Sequence, residues 1–284
     1  MRDELVIEGD GFYWDCSKRT RVMGVLNVTP DSFYDGGRYT GTDTAVRHGR
    51  RLADEGADII DVGGESTRPG AEPVDTDEEL RRVIPVIERL KDRIAQPVSI
   101  DTRKAEVARR AIRAGARMVN DVSGMTADPE MVEVVSSTGV PAVIMHTAGV
   151  PADMQRNPGY EDTVGEIVAW LGARIEYAGA HGVRRSQVVI DPGIGFGKRL
   201  SDNLLLIRSL ASFRKLKRPI LIGPSRKSFI GRVLDAEKND RLEGTAAAVA
   251  LSVANGASIV RVHDVREMGR VVRMTDAICK ARQE

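Results

Sequence analysis

The stretch DIIDVGGESTRPGAEPVDTDEELRRVIPVIERLKDRIAQPVSIDT, Asp58 to Thr102, decides the fold. It opens on a short apolar run, DIIDVG (58–63), crosses a glycine-rich polar loop, GGESTRPGA, and enters a segment where Leu80, Val83, Ile84, Ile87 and Leu90 recur at helical spacing. It closes on a second β-branched run, PVSI (97–100), followed at once by Asp101 and Thr102. Runs that are apolar throughout, bounded by turn residues, read as strands buried on both faces, which is the habit of a parallel sheet. Parallel strands need a crossover helix between them, so the segment is one strand–helix–strand unit.

Outward from it the same unit recurs. The other strand runs are RVMGVL (21–26), RMVN (117–120), PAVIM (141–145), QVVI (187–190), PILIG (219–223) and SIVRV (258–262), which makes eight in all. ADPEMVEVVSSTG and DTVGEIVAWLGARIEYAGAHG carry helical patterns between them; after the seventh run a helix starts at KSFIGRVLD and a longer one follows at RLEGTAAAVALSVANG. Eight alternations predict a closed (β/α)₈ barrel, a TIM barrel, with an open doubly wound sheet as the structural alternative. The opening LVIEGDGFYWD, two apolar runs around Gly-Asp-Gly, predicts a β-hairpin within residues 1–20 that plugs the bottom of a barrel spanning 21–284. No Pro/Ser-rich linker or low-complexity segment divides residues 1–284, so a single domain is expected.

Composition narrows the class. With 284 residues, 42% hydrophobic, 29% charged and a formal net charge of +1, the chain has globular balance, and nothing points to nucleic acid or a membrane surface. Cys16 and Cys279 are too few for a disulfide framework or a metal cluster. MRDELVIEGDGFYWD lacks the apolar run of a signal peptide, and no segment has the length of a membrane span. A cytoplasmic, soluble protein is expected.

The polar clusters fall at one end of the predicted strands. After strand one comes NVTPDSFYDGG, after strand two GGESTRPGA, after strand three Asp101-Thr102; strands four to eight end in NDVSG, MHTAG, DPGIGFGK, PSRKSF and RVHD. The opposite ends carry ordinary connections such as EGAD, AGAR and NGAS. Enzymes built on this barrel place their active sites at the carboxyl ends of the strands, so the asymmetry points to catalysis. DPGIGFGKRL, Asp191 to Leu200, fits neither phosphate loop: a P-loop needs glycine where Pro192 stands and Ser or Thr where Arg199 stands, and the dinucleotide fingerprint needs glycine at Lys198.

Residue chemistry sorts these clusters. Asp101, Asn120 and Asp191 place two carboxylates and an amide on one rim, suited to a heterocycle with several N–H and amino donors, and Lys227 adds a donor for a ring carbonyl. The bland reading has Asp101 capping the helix at TRKAEV and Asp191 bracing its own loop. Asn27, Arg68, Arg261 and His263 form an anion-seeking group suited to a diphosphate that Mg²⁺ can share, although RVHD also reads as a helix cap beside a packed histidine. Ser228 opens a helix whose free N–H groups suit a carboxylate.

Taken together, MGVLNVTPDSFYDGG, GADIIDVGGESTRPGA, VSIDT, VNDVSG, DPGIGFGK, GPSRKSFIG and RVHDV resemble, in order and spacing from about residue 20 onward, the dihydropteroate synthases of folate biosynthesis. The resemblance implies a (β/α)₈ barrel that joins hydroxymethyl-dihydropterin pyrophosphate to p-aminobenzoate with Mg²⁺, releasing pyrophosphate. It implies Asp101, Asn120, Met145, Asp191, Phe196, Gly223, Lys227 and Arg261 for the pterin, and Asn27, Arg68, Arg261 and His263 for the pyrophosphate, with Asn27 at the metal. It implies Phe33, Thr67, Pro69, Lys227 and Ser228 for p-aminobenzoate, where sulfonamides compete, and Asp101, Lys227, Arg261 and His263 as the catalytic set. A homodimer is implied too, for which the Ala/Val-rich TAAAVALSVA helix is a candidate contact. Tyr34, Thr147 and Ala148 depart from the family pattern. The rival functions are a pterin-binding paralogue without catalysis and a methyltetrahydrofolate-type methyltransferase; the SRKS and RVHD motifs argue against the latter, because a methyl donor has no pyrophosphate to hold.

Overall fold

The computed structural model describes residues 5–29, 41–66, 72–149 and 159–281. A hairpin of β1 (Val6–Gly9) and β2 (Phe12–Asp15) precedes the eight strands β3 (Arg21–Asn27), β4 (Ile59–Gly63), β5 (Val98–Asp101), β6 (Met118–Asp121), β7 (Ala142–Met145), β8 (Val188–Asp191), β9 (Leu221–Ile222) and β10 (Ile259–Val262). The helices are α1 (Gly41–Asp54), α2 (Thr76–Lys91), α3 (Ala105–Ala114), α4 (Met131–Thr138), α5 (Thr163–Ala180), α6 (Leu200–Arg208), α7 (Ser228–Leu234), α8 (Leu242–Ala254) and α9 (Val265–Lys280). All eight strands pair in parallel in the order β8-β7-β6-β5-β4-β3-β10-β9. The two outer strands meet through a parallel bridge between Ile190 and Ile220, and Ile190 N–H donates to the Pro219 carbonyl at 3.0 Å. That contact closes the barrel and rules out the open sheet.

The seventh predicted run, 219–223, pairs as a regular strand over only Leu221 and Ile222. Pro219 and Pro224 bracket it, and proline has no N–H to give a ladder. Four of the other strands run to a polar residue at the carboxyl end: Asn27, Asp101, Asp121 and Asp191 all belong to strands rather than to loops.

Alternation along each strand divides the core. Ile60, Val62, Ile100, Val119, Ile144, Ile190 and Val260 face the helices in one large apolar cluster. Met23, Ile59, Met118, Val143, Val189, Leu221 and Ile259 form a second cluster inside the lower barrel, joined by Ile7, Phe12 and Cys16. The hairpin therefore closes the bottom as expected, and each such side chain contributes roughly 1.5–3 kcal/mol by burial. Its turn uses Gly11 at φ +61°, and Asp10 N–H donates to the Gly139 carbonyl at 3.0 Å.

No helix among the described residues is long and apolar enough to cross a membrane.

Candidate active site

With the bottom filled by hydrocarbon, the upper barrel interior is polar. Strand register sets Asp101 beside both Gly63 and Asn120, Asn27 beside Gly63, and Met145 beside Asp191, so these residues occupy one rim. Arg261 enters from β10 and donates from Nη2 to Asp101 Oδ2 at 2.6 Å and from Nε to Asp61 Oδ2 at 2.6 Å. Asn120 Nδ2 donates to the same Asp61 oxygen at 2.9 Å. Asp101 thus faces the barrel mouth and does not cap α3: the Ala105 N–H at that helix start is taken by Asp128 Oδ2 at 2.8 Å.

Asp191 has the loop-bracing role that the sequence allowed. Its Oδ1 accepts from Gly193 N–H at 2.7 Å, which braces the loop, while its charge acts on Lys227 and Arg261 across the mouth. The loop after β8 folds tightly because Gly193, Gly195 and Gly197 all have positive φ; a Cβ on Gly193 would lie 1.9 Å from the His146 carbonyl oxygen. Lys198 turns beneath this loop and donates to the Phe196 carbonyl at 2.9 Å, with its Nζ 3.1 Å from His146 Nδ1. Lys227 reaches over it, bonded to the Ile194 carbonyl, with Nζ 4.5 Å from the centre of the Phe196 ring. The place of a Cβ on Gly223 lies 3.7 Å from Arg261 Cβ and 4.0 Å from Lys227 Nζ, so the missing side chain leaves the floor between them open.

His263 stands at the next inward position above Arg261. Its Nδ1 is 3.1 Å from Ser225 Oγ, and that hydroxyl also accepts the His263 backbone N–H at 3.2 Å. Arg226, at φ +57°, pairs with Asp264 and holds the SRKS turn to the end of β10. Ser228 is exposed at the first residue of α7. The structure therefore gathers Asn27, Asp101, Asn120, Met145, Asp191, Phe196, Gly223, Lys227, Ser228, Arg261 and His263 at one end of the barrel. Phe33, Tyr34, Thr67, Arg68 and Pro69 lie outside the described residues.

Burial sets the ionisation. It lifts Asp101 to about 7 despite the opposing Arg261 charge, with Asp61 adding to the rise. It pulls Lys227 down to about 8 against the attraction of Asp191, and Lys198 down to about 7. Burial works against the Arg261 charge as well, but Asp61, Asp101 and Asp191 outweigh it and push that pKa up. His263, buried beside Arg261 and Arg226, falls to about 3 and is neutral as it stands.

The mouth thus offers fixed acceptors and a few donors around a largely buried floor, with a guanidinium and an imidazole to one side. A model of the family described as pterin binding enzyme matches residues 23–263. The chain belongs to the pterin-binding enzymes. A dihydropteroate synthase of Synechocystis is 47% identical over 266 residues, covering 93% of this chain and 92% of that protein. The solved dihydropteroate synthase of Xanthomonas albilineans with 4-aminobenzoic acid superposes with a TM-score of 0.92 at 44% identity, covering 98% and 100% of the two chains. That of Yersinia pestis in complex with a sulfonamide drug gives 0.91 at 40%, over 97% and 100%. Within the pterin-binding enzymes the chain is one of the dihydropteroate synthases, transferases of folate biosynthesis.

Three residues of this region had no role in the sequence reading: Asp61, Ser225 and Lys198. Each carried a signal: Asp61 as an ionisable residue inside a buried strand, Ser225 as a hydroxyl in the short turn after β9, and Lys198 as a cation in a tight glycine turn. Among the described residues no group of three or more His, Cys, Asp or Glu is arranged to hold a metal. Asn27 offers one hard oxygen donor at the rim, which fits a Mg²⁺ ion held mainly by substrate phosphates and water rather than by a protein cage.

Proposed function

We propose that this barrel mouth joins 6-hydroxymethyl-7,8-dihydropterin pyrophosphate to p-aminobenzoate, giving 7,8-dihydropteroate and pyrophosphate. The observation that carries the reading is the convergence of Asp101, Asn120, Asp191 and Lys227 on one floor with Arg261 and His263 beside it. Asp101, Asn120 and Asp191 accept from the amino and N–H edge of the pterin, and Lys227 donates to its carbonyl. Met145, Phe196 and Gly223 line the flat slot, and the Arg261 guanidinium stacks on the ring.

Bond breaking comes first. The C–O bond between the methylene carbon and the diphosphate breaks, its electron pair leaves with the pyrophosphate, and the electron-rich ring stabilises the methylene cation. Arg68 and Arg261 compensate the charge that builds on the leaving group, and the neutral His263 imidazole donates a hydrogen bond to it. Asn27 would hold a Mg²⁺ ion together with oxygens of the diphosphate, and the ion would supply further charge neutralisation there. The amine of p-aminobenzoate, its carboxylate at Ser228 and the α7 start and its ring among Phe33, Thr67 and Pro69, then forms the C–N bond and loses a proton. Sulfonamides compete for this second place. A dissociative path suits a site rich in leaving-group contacts and poor in a base for an aromatic amine.

The protein acts in the cytoplasm as a homodimer. Leu204, Val233, Leu234, Leu242, Leu251, Met274 and Ile278 are exposed apolar residues on α6 to α9, and they support a contact between copies away from the mouth. The test of the activity is direct: purified protein, Mg²⁺, the pterin pyrophosphate and labelled p-aminobenzoate yield labelled dihydropteroate, and Asp101→Asn or Lys227→Ala abolishes it. Pterin binding without product would support the non-catalytic paralogue instead.

A further inference from the structure

We infer that Asp61 is a positioning residue for the pterin pocket, acting through Asn120 and Arg261. The inference rests on the pterin reading above and adds a residue that makes no contact with substrate itself. Asp61 sits in the middle of β4, one inward position below Gly63, with no solvent exposure. One oxygen, Oδ2, accepts from Asn120 Nδ2 at 2.9 Å and from Arg261 Nε at 2.6 Å. The other, Oδ1, has no hydrogen-bond partner among the described residues, so these two donors alone orient the carboxylate.

Two consequences follow from the chemistry of a group that only accepts. The Asn120 amide is bipolar, and turning it over would set its oxygen against the Asp61 oxygen. Asp61 therefore fixes Nδ2 downward and leaves Asn120 Oδ1 as the acceptor available to the ring's N–H edge. Arg261 is held at two corners, Nε by Asp61 and Nη2 by Asp101, which fixes the plane of its guanidinium. A plane so fixed presents one face to a flat ring and its free edge to the diphosphate. Stability alone gives little reason for a carboxylate here, because a well-packed apolar side chain holds a barrel interior at least as well as a buried ion pair.

Asp61→Asn keeps the shape and removes the charge. The expected result is a KM for the pterin pyrophosphate raised about tenfold or more, the loss of one oriented buried acceptor, while the KM for p-aminobenzoate stays within about twofold. In an Asn120→Ala background the same substitution costs clearly less, because part of its effect has already been removed. Equal changes in both KM values, or full additivity with Asn120→Ala, overturn the inference. If Asp61→Asn does not fold, nitrogen-15 spectra of the unaltered protein decide. The Asn120 side-chain amide, assigned by its loss in Asn120→Asp, must show a shifted, slowly exchanging proton, and free exchange at ordinary positions overturns the inference. A wild-type protein that makes no dihydropteroate sinks the proposed function; a wild-type protein that makes it while Asp61→Asn keeps the normal pterin KM sinks only this step.

Discussion

Replacing Arg261 with methionine removes the guanidinium that bonds Asp61 and Asp101 together, and the structure fixes both the size and the pH dependence of the result. Breaking a buried ion pair from one side costs about 3–5 kcal/mol, which lowers the melting temperature by on the order of 10 °C in a protein of this size. Asp101 supplies the pH dependence. Burial raises it from 3.8 to about 7 in the folded protein even with Arg261 opposing, so without Arg261 it goes higher still. A carboxylate with a raised folded pKa costs stability progressively as pH climbs from its unfolded value to its folded one. Between pH 5 and 6.5 both folded proteins keep this proton and both unfolded chains lack it, so Asp101 adds no pH dependence to the gap between wild type and Arg261→Met there. Above about pH 7 the wild type releases the proton and the variant keeps it. The variant alone then goes on losing roughly 1.4 kcal/mol per pH unit. Urea unfolding across pH 5–9, followed by the fluorescence of Trp14 and Trp170, measures the gap. A gap that stays flat or narrows above pH 7 refutes the coupling of Asp101 to Arg261.

Other outcomes are as definite. Lys227→Met lowers kcat/KM by roughly a hundredfold or more, the loss of a charged donor in a dry site, and wild-type activity declines as pH rises through about 8, where Lys227 gives up its proton; steady-state assays across pH 6–10 check both. Gly193→Ala abolishes pterin binding by calorimetry while the circular dichroism spectrum stays that of the wild type, because the new Cβ meets the His146 carbonyl at φ +73°. Ile7→Ala costs about 2–5 kcal/mol in denaturant unfolding and leaves the kcat of the folded fraction unchanged, since the hairpin is at the opposite end from the chemistry. Ring-substituted p-aminobenzoates give rates nearly independent of amine basicity, as a rate-limiting C–O cleavage requires; a steep dependence contradicts the dissociative path.

The barrel was legible because its strands are buried on both faces and so are written as continuous apolar runs, DIIDVG and PVSI among them. The rim was legible for a similar reason: Asp101, Asn120 and Asp191 end such runs, and polar groups there need a purpose. Asp61 was harder to see, because it lies inside a run rather than after it and the word DIIDVG reads as strand whether or not its third residue from the end faces the barrel interior. Which face it takes depends on the register with β3 and β5, a long-range fact absent from the local pattern. The same holds for Ser225, whose partner is His263, thirty-eight residues away in sequence. The shortened β9 follows from Pro219 and Pro224, whose effect on a ladder was written in the sequence and outweighed the apolar run between them.

The measurement that tests the central claim most directly is a crystal structure of the protein with the pterin pyrophosphate and no p-aminobenzoate. The account predicts the ring on the floor between Gly223 and Phe196, its N–H edge within hydrogen-bond distance of Asp101, Asn120 and Asp191, and the diphosphate against Arg261 and His263. A pterin seated elsewhere, or one turned so that its diphosphate points away from β10, contradicts it.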